Sequence, residues 1–287
     1  MKNAVILGAT GYTGAEAVRL ISGHPKLRII GLVGNTNAGV TYESLYPNFY
    51  NINLPIISLI DDIDWSNVDV VFSCLPHGTS QEVISKIYDS VDTIIDLSAD
   101  FRLKDPNLYL NLYGEKHVFP DYLKKSIYGL TEYNREKLID AKLVACPGCY
   151  PTCSLLGLLP ALESSSIDLN NIIIDAKSGA SGTGRKAHKS LHFSEISDGC
   201  HAYSVANHRH APEIEQTIEN ITGKKIKVSF TPHLIPMNRG MISTSYVKLA
   251  HGVTYQDLRQ TYHDRFKNES FVILVDQGIS PHSRHIK

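Results

Sequence analysis

Short apolar runs alternate with helix-compatible stretches through the first half of the chain. Ala4-Val5-Ile6-Leu7, Leu27–Val33, Val68–Cys74, Thr93–Ser98 and Lys142–Ala145 are rich in Val, Ile and Leu. Runs of this kind suit strands buried on both faces. Ala15–Ile21 and Gln81–Tyr88 read as helices between them, and Ser154–Leu162 reads as a buried helix after the last. Strands alternating with helices predict a doubly wound parallel sheet. The pattern then changes. Asn171–Ala176 and Phe271–Val275 are apolar runs, whereas Lys227–Thr231 and Ser243–Leu249 alternate as half-buried strands do. The chain is therefore expected to be α/β. Residues 1–148 should carry the parallel sheet, and 149–287 an α+β unit with a mostly antiparallel sheet.

Composition narrows the function classes. At 43% hydrophobic and 20% charged residues, the chain fits an ordinary globular protein. A net charge of −1 points to neither a nucleic-acid nor a membrane surface. No apolar run is long enough to span a bilayer, and Met1–Gly8 is a strand entering a glycine turn, too short for a signal peptide. Five cysteines are an odd number without a framework of spacings, which suggests a reducing, cytoplasmic setting. Cys146 and Cys149 form a CxxC, but no second pair completes a zinc site, and no metal is expected.

Two stretches carry chemistry. Gly8-Ala9-Thr10-Gly11-Tyr12-Thr13-Gly14 follows the first strand and opens a helix. Glycines there allow a tight turn and close approach of a pyrophosphate to the helix N-terminus, as in a Rossmann-type domain. The second strand ends in Gly34-Asn35-Thr36-Asn37, with no acidic residue to hold a ribose 2′-hydroxyl. Asn35 and Thr36 can donate to a 2′-phosphate, so NADP(H) is the expected cofactor. Leu75, Pro76 and Ser98 lie at later strand ends and should face the same crevice. Arg102 could grip an anion bidentately or pair with Asp100 or Asp105. The second stretch is Cys146-Pro147-Gly148-Cys149-Tyr150-Pro151-Thr152. A cysteine at a strand-to-helix turn gains thiolate character from the free amides of the helix. Pro151 suits a first helical turn, so Cys149 is the expected nucleophile. Lys177-Ser178-Gly179-Ala180-Ser181-Gly182-Thr183-Gly184-Arg185 is a basic glycine loop suited to a phosphate or a cofactor edge. His208 and His210, directly ahead of Pro212 and Glu213, point different ways on an extended segment, so one of the two is expected to face Cys149 and exchange protons while the other serves structure.

Taken together, these segments resemble the N-acetyl-gamma-glutamyl-phosphate reductases of the aspartate-semialdehyde dehydrogenase superfamily. The matching signatures are GATGYTG at Gly8–Gly14, DLSADFRL at Asp96–Leu103 and PGCYPT at Pro147–Thr152. DAKSGASGTGR at Asp175–Arg185, HRHAPEI at His208–Ile214 and PHLIPMNRG at Pro232–Gly240 complete the set. The resemblance implies NADPH, a small acyl-phosphate substrate, and a catalytic domain whose sheet pairs subunits into a dimer or tetramer. It implies Cys149 as nucleophile and His210 as acid/base. Arg102 matches the position that holds the acyl phosphate in the related aspartate enzyme, and Glu213 a substrate-side carboxylate. His208, Lys177 and Arg185 join them as substrate-side candidates on the reading of their own segments alone. Ser181 and Gly182 would lie near the nicotinamide.

Two departures stand out. The family usually continues past the segment seen here as Pro281-His282-Ser283-Arg284 into a glycine-rich helix, and this chain stops at Lys287. Slow turnover is expected if that helix is missing. Cys146 stands where asparagine is common in the superfamily, which opens a redox pair with Cys149. A sister reductase acting on aspartyl or carrier-bound aminoadipyl phosphate, and a non-catalytic NADP-binding protein, remain open at this stage.

Overall fold

The computed structural model describes residues 1–286, so the expectation drawn at Lys287 lies outside the described residues. The chain forms two compact units, Met1–Pro147 and Gly148–Lys287.

In the first unit, β1 (Lys2–Leu7), β2 (Leu27–Val33), β3 (Ile57–Ser58) and β4 (Val70–Ser73) precede β5 (Thr93–Asp96), β6 (Ile127–Tyr128) and β7 (Leu143–Ala145). They make one seven-stranded sheet in the order β3-β2-β1-β4-β5-β7-β6. Every pairing is parallel. Alternation along β1 explains why both faces are covered. Val5 and Leu7 join a core with Val71, Ile84, Ile94 and Phe101. Ala4 and Ile6 point the other way, into Val18, Ile21, Leu32 and Tyr42. Burying each aliphatic side chain contributes about 1.5–3 kcal/mol. The strand order reverses between β1 and β4, and the ligand crevice of an open α/β sheet lies outside the carboxyl ends at such a point.

In the second unit, β8 (Ile172–Ser178), β9 (His201–Ala202), β10 (Val228–Leu234) and β11 (Met241–Tyr246) form a mixed sheet in the order β11-β8-β10-β9. Two of its three pairings are antiparallel, as expected, while the central β8–β10 pairing is parallel over its whole length. Ile172, Ile174, Ala176 and Ser178 are buried, and Ile173, Asp175 and Lys177 face the open side. Helix Cys149–Glu163 packs on the covered side, where Ser154 meets Ser243 of β11 at 2.9 Å.

The strand expected at Phe271–Val275 does not form. Apolar residues make a strand only where a neighbouring edge can accept its backbone groups. Here Phe271 is 94% exposed.

Asp96 closes β5 with a fully buried carboxylate. Oδ1 accepts from Ser80 Oγ at 2.7 Å and the Ser98 amide at 3.1 Å, and Oδ2 accepts from Ser98 Oγ at 2.7 Å. Burial outweighs these donors and lifts its pKa from 3.8 to about 6. A raised native pKa means that the folded state binds the proton more tightly than the unfolded chain between those values. Stability should therefore fall as pH rises from about 4 to 6, by about 3 kcal/mol. Asp96→Asn should flatten this slope in denaturant melts across that range. An unchanged slope in the variant would show that another group sets it.

Candidate active site

In the first unit the glycine loop follows from steric limits at two residues. Gly8 has φ +70°, and a Cβ there would lie 2.6 Å from the Cys74 carbonyl oxygen at the end of β4. A Cβ on Gly14 would lie 2.3 Å from the Gly8 carbonyl, so the helix Tyr12–Ser22 can sit against the loop only without that side chain. At Gly11, the cap of that helix, the nearest atom to an added Cβ is 3.6 Å away, and no side chain caps the first turn. The loop thus pairs a close-packed back with an open front beside uncapped helix amides, which fits a dinucleotide pyrophosphate. Asn35 and Thr36 are exposed in the short turn beyond β2.

Arg102 is nearly buried at the ends of β5 and β7. Its Nε donates to the Cys146 carbonyl at 2.7 Å and its Nη2 to the Leu97 carbonyl at 3.0 Å. The Asp100 carboxylate accepts from the amides of Gly78 and Gln81 and from the Tyr109 hydroxyl. Burial, with the Asp96 charge nearby, pushes the Cys74 and Cys146 thiols up to about 12. Both are poor thiolates at neutral pH.

In the second unit Cys149 is exposed at the first position of the 15-residue helix Cys149–Glu163, capped by Gly148. The His210 ring lies against Gly148, where an added Cβ would be 2.4 Å from Nε2. Glu213, one turn on in helix His210–Thr222, accepts the Gly148 amide at 2.8 Å. Behind His210 stands an aromatic group of Tyr150, His208 and Phe230, with Tyr203 beyond it. His208 Nδ1 accepts the His210 amide at 3.1 Å. Burial, then the neighbouring His210 and Arg209, lowers the His208 pKa to about 4, so it stays neutral.

Residues 3–141 match the family model "Semialdehyde dehydrogenase, NAD binding domain", and 149–287 match "Semialdehyde dehydrogenase, dimerisation domain". An N-acetyl-gamma-glutamyl-phosphate reductase of Rhodospirillum rubrum is 47% identical over 99% of this chain and 82% of that relative. A probable chloroplastic one of Arabidopsis thaliana is 46% identical over 98% of this chain and 70% of its own length. The chain belongs to the N-acetyl-gamma-glutamyl-phosphate reductase family. Among solved structures, aspartate semialdehyde dehydrogenase II of Vibrio cholerae complexed with ASA superposes with a TM-score of 0.72 at 15% identity. It covers 99% of this chain and 83% of its own. The NADP complex of the Candida albicans enzyme gives 0.60 at 17%, covering 91% and 75%. At these identities they support the fold alone.

Not every residue singled out in the sequence reaches the reductase's site. Cys149, His208, His210 and Glu213 gather around Gly148. Lys177 does not join them. It pairs with Asp175 on the face of β8 opposite the Cys149 helix. Ser98 is taken up by Asp96 and the Asp100 amide. The amides of Gly179, Ala180 and Ser181 donate to the Gly240, Met237 and Asn238 carbonyls, which binds this loop to its neighbour. Gly182 and Arg185 are exposed in the same loop. All five cysteines are free thiols.

Two residues escaped the sequence reading. Tyr42 Oη donates to the Ala9 carbonyl at 3.0 Å and Tyr46 Oη to the Thr10 carbonyl at 2.8 Å. With Phe49 they form one aromatic cluster under the glycine loop. A tyrosine set beyond the second strand was the available signal, but only the fold shows where its hydroxyls end. Each hydroxyl contributes about 1 kcal/mol to holding the loop. Tyr42→Phe with Tyr46→Phe should weaken NADPH binding about tenfold in a fluorescence titration, with the melting temperature only modestly lowered. Unchanged affinity in the double variant would show that the loop keeps its shape without them.

Proposed function

We propose that this chain reduces N-acetyl-L-glutamyl 5-phosphate to N-acetyl-L-glutamate 5-semialdehyde and phosphate with NADPH, in arginine biosynthesis. The observation that carries the reading is the exposed Cys149 on a helix N-terminus with the His210 ring set against the adjacent Gly148. It agrees with the names of the relatives at 47% and 46% identity. Uncapped amides of the first helical turn favour the Cys149 thiolate. The thiolate attacks the acyl carbon, a C–S bond forms, the C–O bond to phosphorus breaks, and phosphate leaves. NADPH, when bound, supplies a hydride to the thioester carbonyl. His210 gives a proton to the oxygen and takes it back as the C–S bond breaks and the aldehyde departs. Covalent capture divides one hard displacement into two easier steps.

Gly8, Thr10, Gly11, Tyr12, Thr13 and Gly14 would hold the pyrophosphate, and Asn35 and Thr36 the 2′-phosphate. The missing acidic residue beyond β2 supports NADP over NAD. Arg102 orders the Cys146 carbonyl and would draw the leaving phosphate electrostatically. Assembly into a homo-oligomer, dimer or tetramer, would use the open face of the second sheet, where Ile173, Ile242 and Tyr246 are exposed. The matching dimerisation-domain description supports this. No helix among the described residues is long and apolar enough to cross a membrane. The reading of the thiols as reduced supports a cytoplasmic location.

The reaction run backwards tests the proposal, with N-acetylglutamate semialdehyde, phosphate and NADP supplied and NADPH absorbance followed. Wild type should turn over, and should prefer this aldehyde to aspartate semialdehyde. Cys149→Ser should abolish turnover, and His210→Asn should lower kcat by about 10²–10⁴-fold. Steady-state activity in Cys149→Ser would overturn the nucleophile assignment. A preference for aspartate semialdehyde would move the substrate to the sister reductase.

A further inference from the structure

The family resemblance implies a substrate-side carboxylate at Glu213, yet the side chain is 2% exposed. Its Oε1 accepts the Gly148 amide at 2.8 Å. That same glycine supports the His210 ring. Residues 210 and 213 are three apart in one helix and therefore share a face. The first turn of helix His210–Thr222 thus grips a single peptide with two side chains. The peptide gripped is the cap of the Cys149 helix, in an extended conformation with φ −61° and ψ 158°. A buried carboxylate needs donors and positive potential. The Gly148 amide is one such donor, and two helix N-termini add positive potential, since Glu213 lies in the first turn of its own helix.

We propose that Glu213 is a positioning residue for the Cys149–His210 pair and not a substrate contact. Its carboxylate fixes the plane of the Gly148 peptide. The direction in which Cys149 leaves the helix cap is then set against the element that carries His210. On the far side His208 holds the His210 amide, so the acid/base side chain is braced from both directions. Displacing such a pair by about 1 Å can cost on the order of a hundredfold in rate while leaving substrate binding nearly intact.

The test compares Glu213→Gln, Glu213→Ala and Glu213→Asp in the full chain. A glutamine oxygen can still accept the Gly148 amide, an alanine cannot, and an aspartate is one methylene too short to reach it. In Glu213→Ala and Glu213→Asp, kcat should drop by about 10–100-fold with KM within about twofold of wild type. Alkylation of Cys149 by iodoacetamide should slow in both. Glu213→Gln should recover most of kcat and of the alkylation rate. A large rise in KM in Glu213→Gln with kcat preserved would make Glu213 a substrate contact and overturn the proposal. Wild-type kcat and alkylation in Glu213→Asp would overturn it too, even if Glu213→Ala fails to fold. The turnover arm rests on the function proposed above. If wild type did not reduce the acyl phosphate, that reading would fail, while the alkylation rates would still decide the role of Glu213.

Discussion

The second unit depends on a contact made possible by a missing side chain. The His210 ring lies in the space that a Gly148 Cβ would need. No other residue at this point lets helix His210–Thr222 approach the cap of helix Cys149–Glu163 so closely. Around that contact the remaining groups fall into order. Glu213 takes the glycine amide, His208 takes the His210 amide, and Tyr150 packs its ring against both histidines. The Tyr150 hydroxyl donates to the His233 carbonyl on β10 at 3.3 Å and so ties the arrangement to the sheet. Cys149 is exposed at the first position of its helix, beside the amides of the first turn.

The first unit solves a different problem, the arrangement of loops at the carboxyl ends of parallel strands. Buried polar groups do this work. Asp96 links the ends of β4 and β5 through Ser73, Ser80 and Ser98. Arg102 ties the residue after β5 to the residue after β7 by two carbonyls. Tyr42 and Tyr46 support the glycine loop from below. Charged groups serve well here because their hydrogen bonds are short and directional, although burying them costs desolvation. The raised pKa of Asp96 reflects that cost.

Much of this was legible in the sequence. β1, β2, β4, β5 and β7 are long enough and apolar enough to be read directly, and Gly8–Gly14 and Cys149 sit where the turns and helix caps demanded. The two-residue strands β3, β6 and β9 carry no periodic signal and are made by their neighbours. Phe271–Val275 shows the converse, an apolar run without a ladder partner. Arg102 and Glu213 were readable as charges but not as buried ones. Among their partners are backbone groups 44 and 65 residues away, and backbone groups leave no trace in residue identity. The tyrosines under the glycine loop were missed for the same reason.

The acyl group is expected to pass through Cys149. The most direct measurement mixes the full chain with N-acetylglutamyl phosphate in the absence of reductant, quenches in acid, and maps the product by peptide mass spectrometry. An N-acetylglutamyl adduct is expected on the peptide containing Cys149, released on treatment with hydroxylamine and reduced away when NADPH is added before the quench. Rapid NADPH-dependent turnover with no adduct at Cys149, or with the acyl group on another residue, would contradict it.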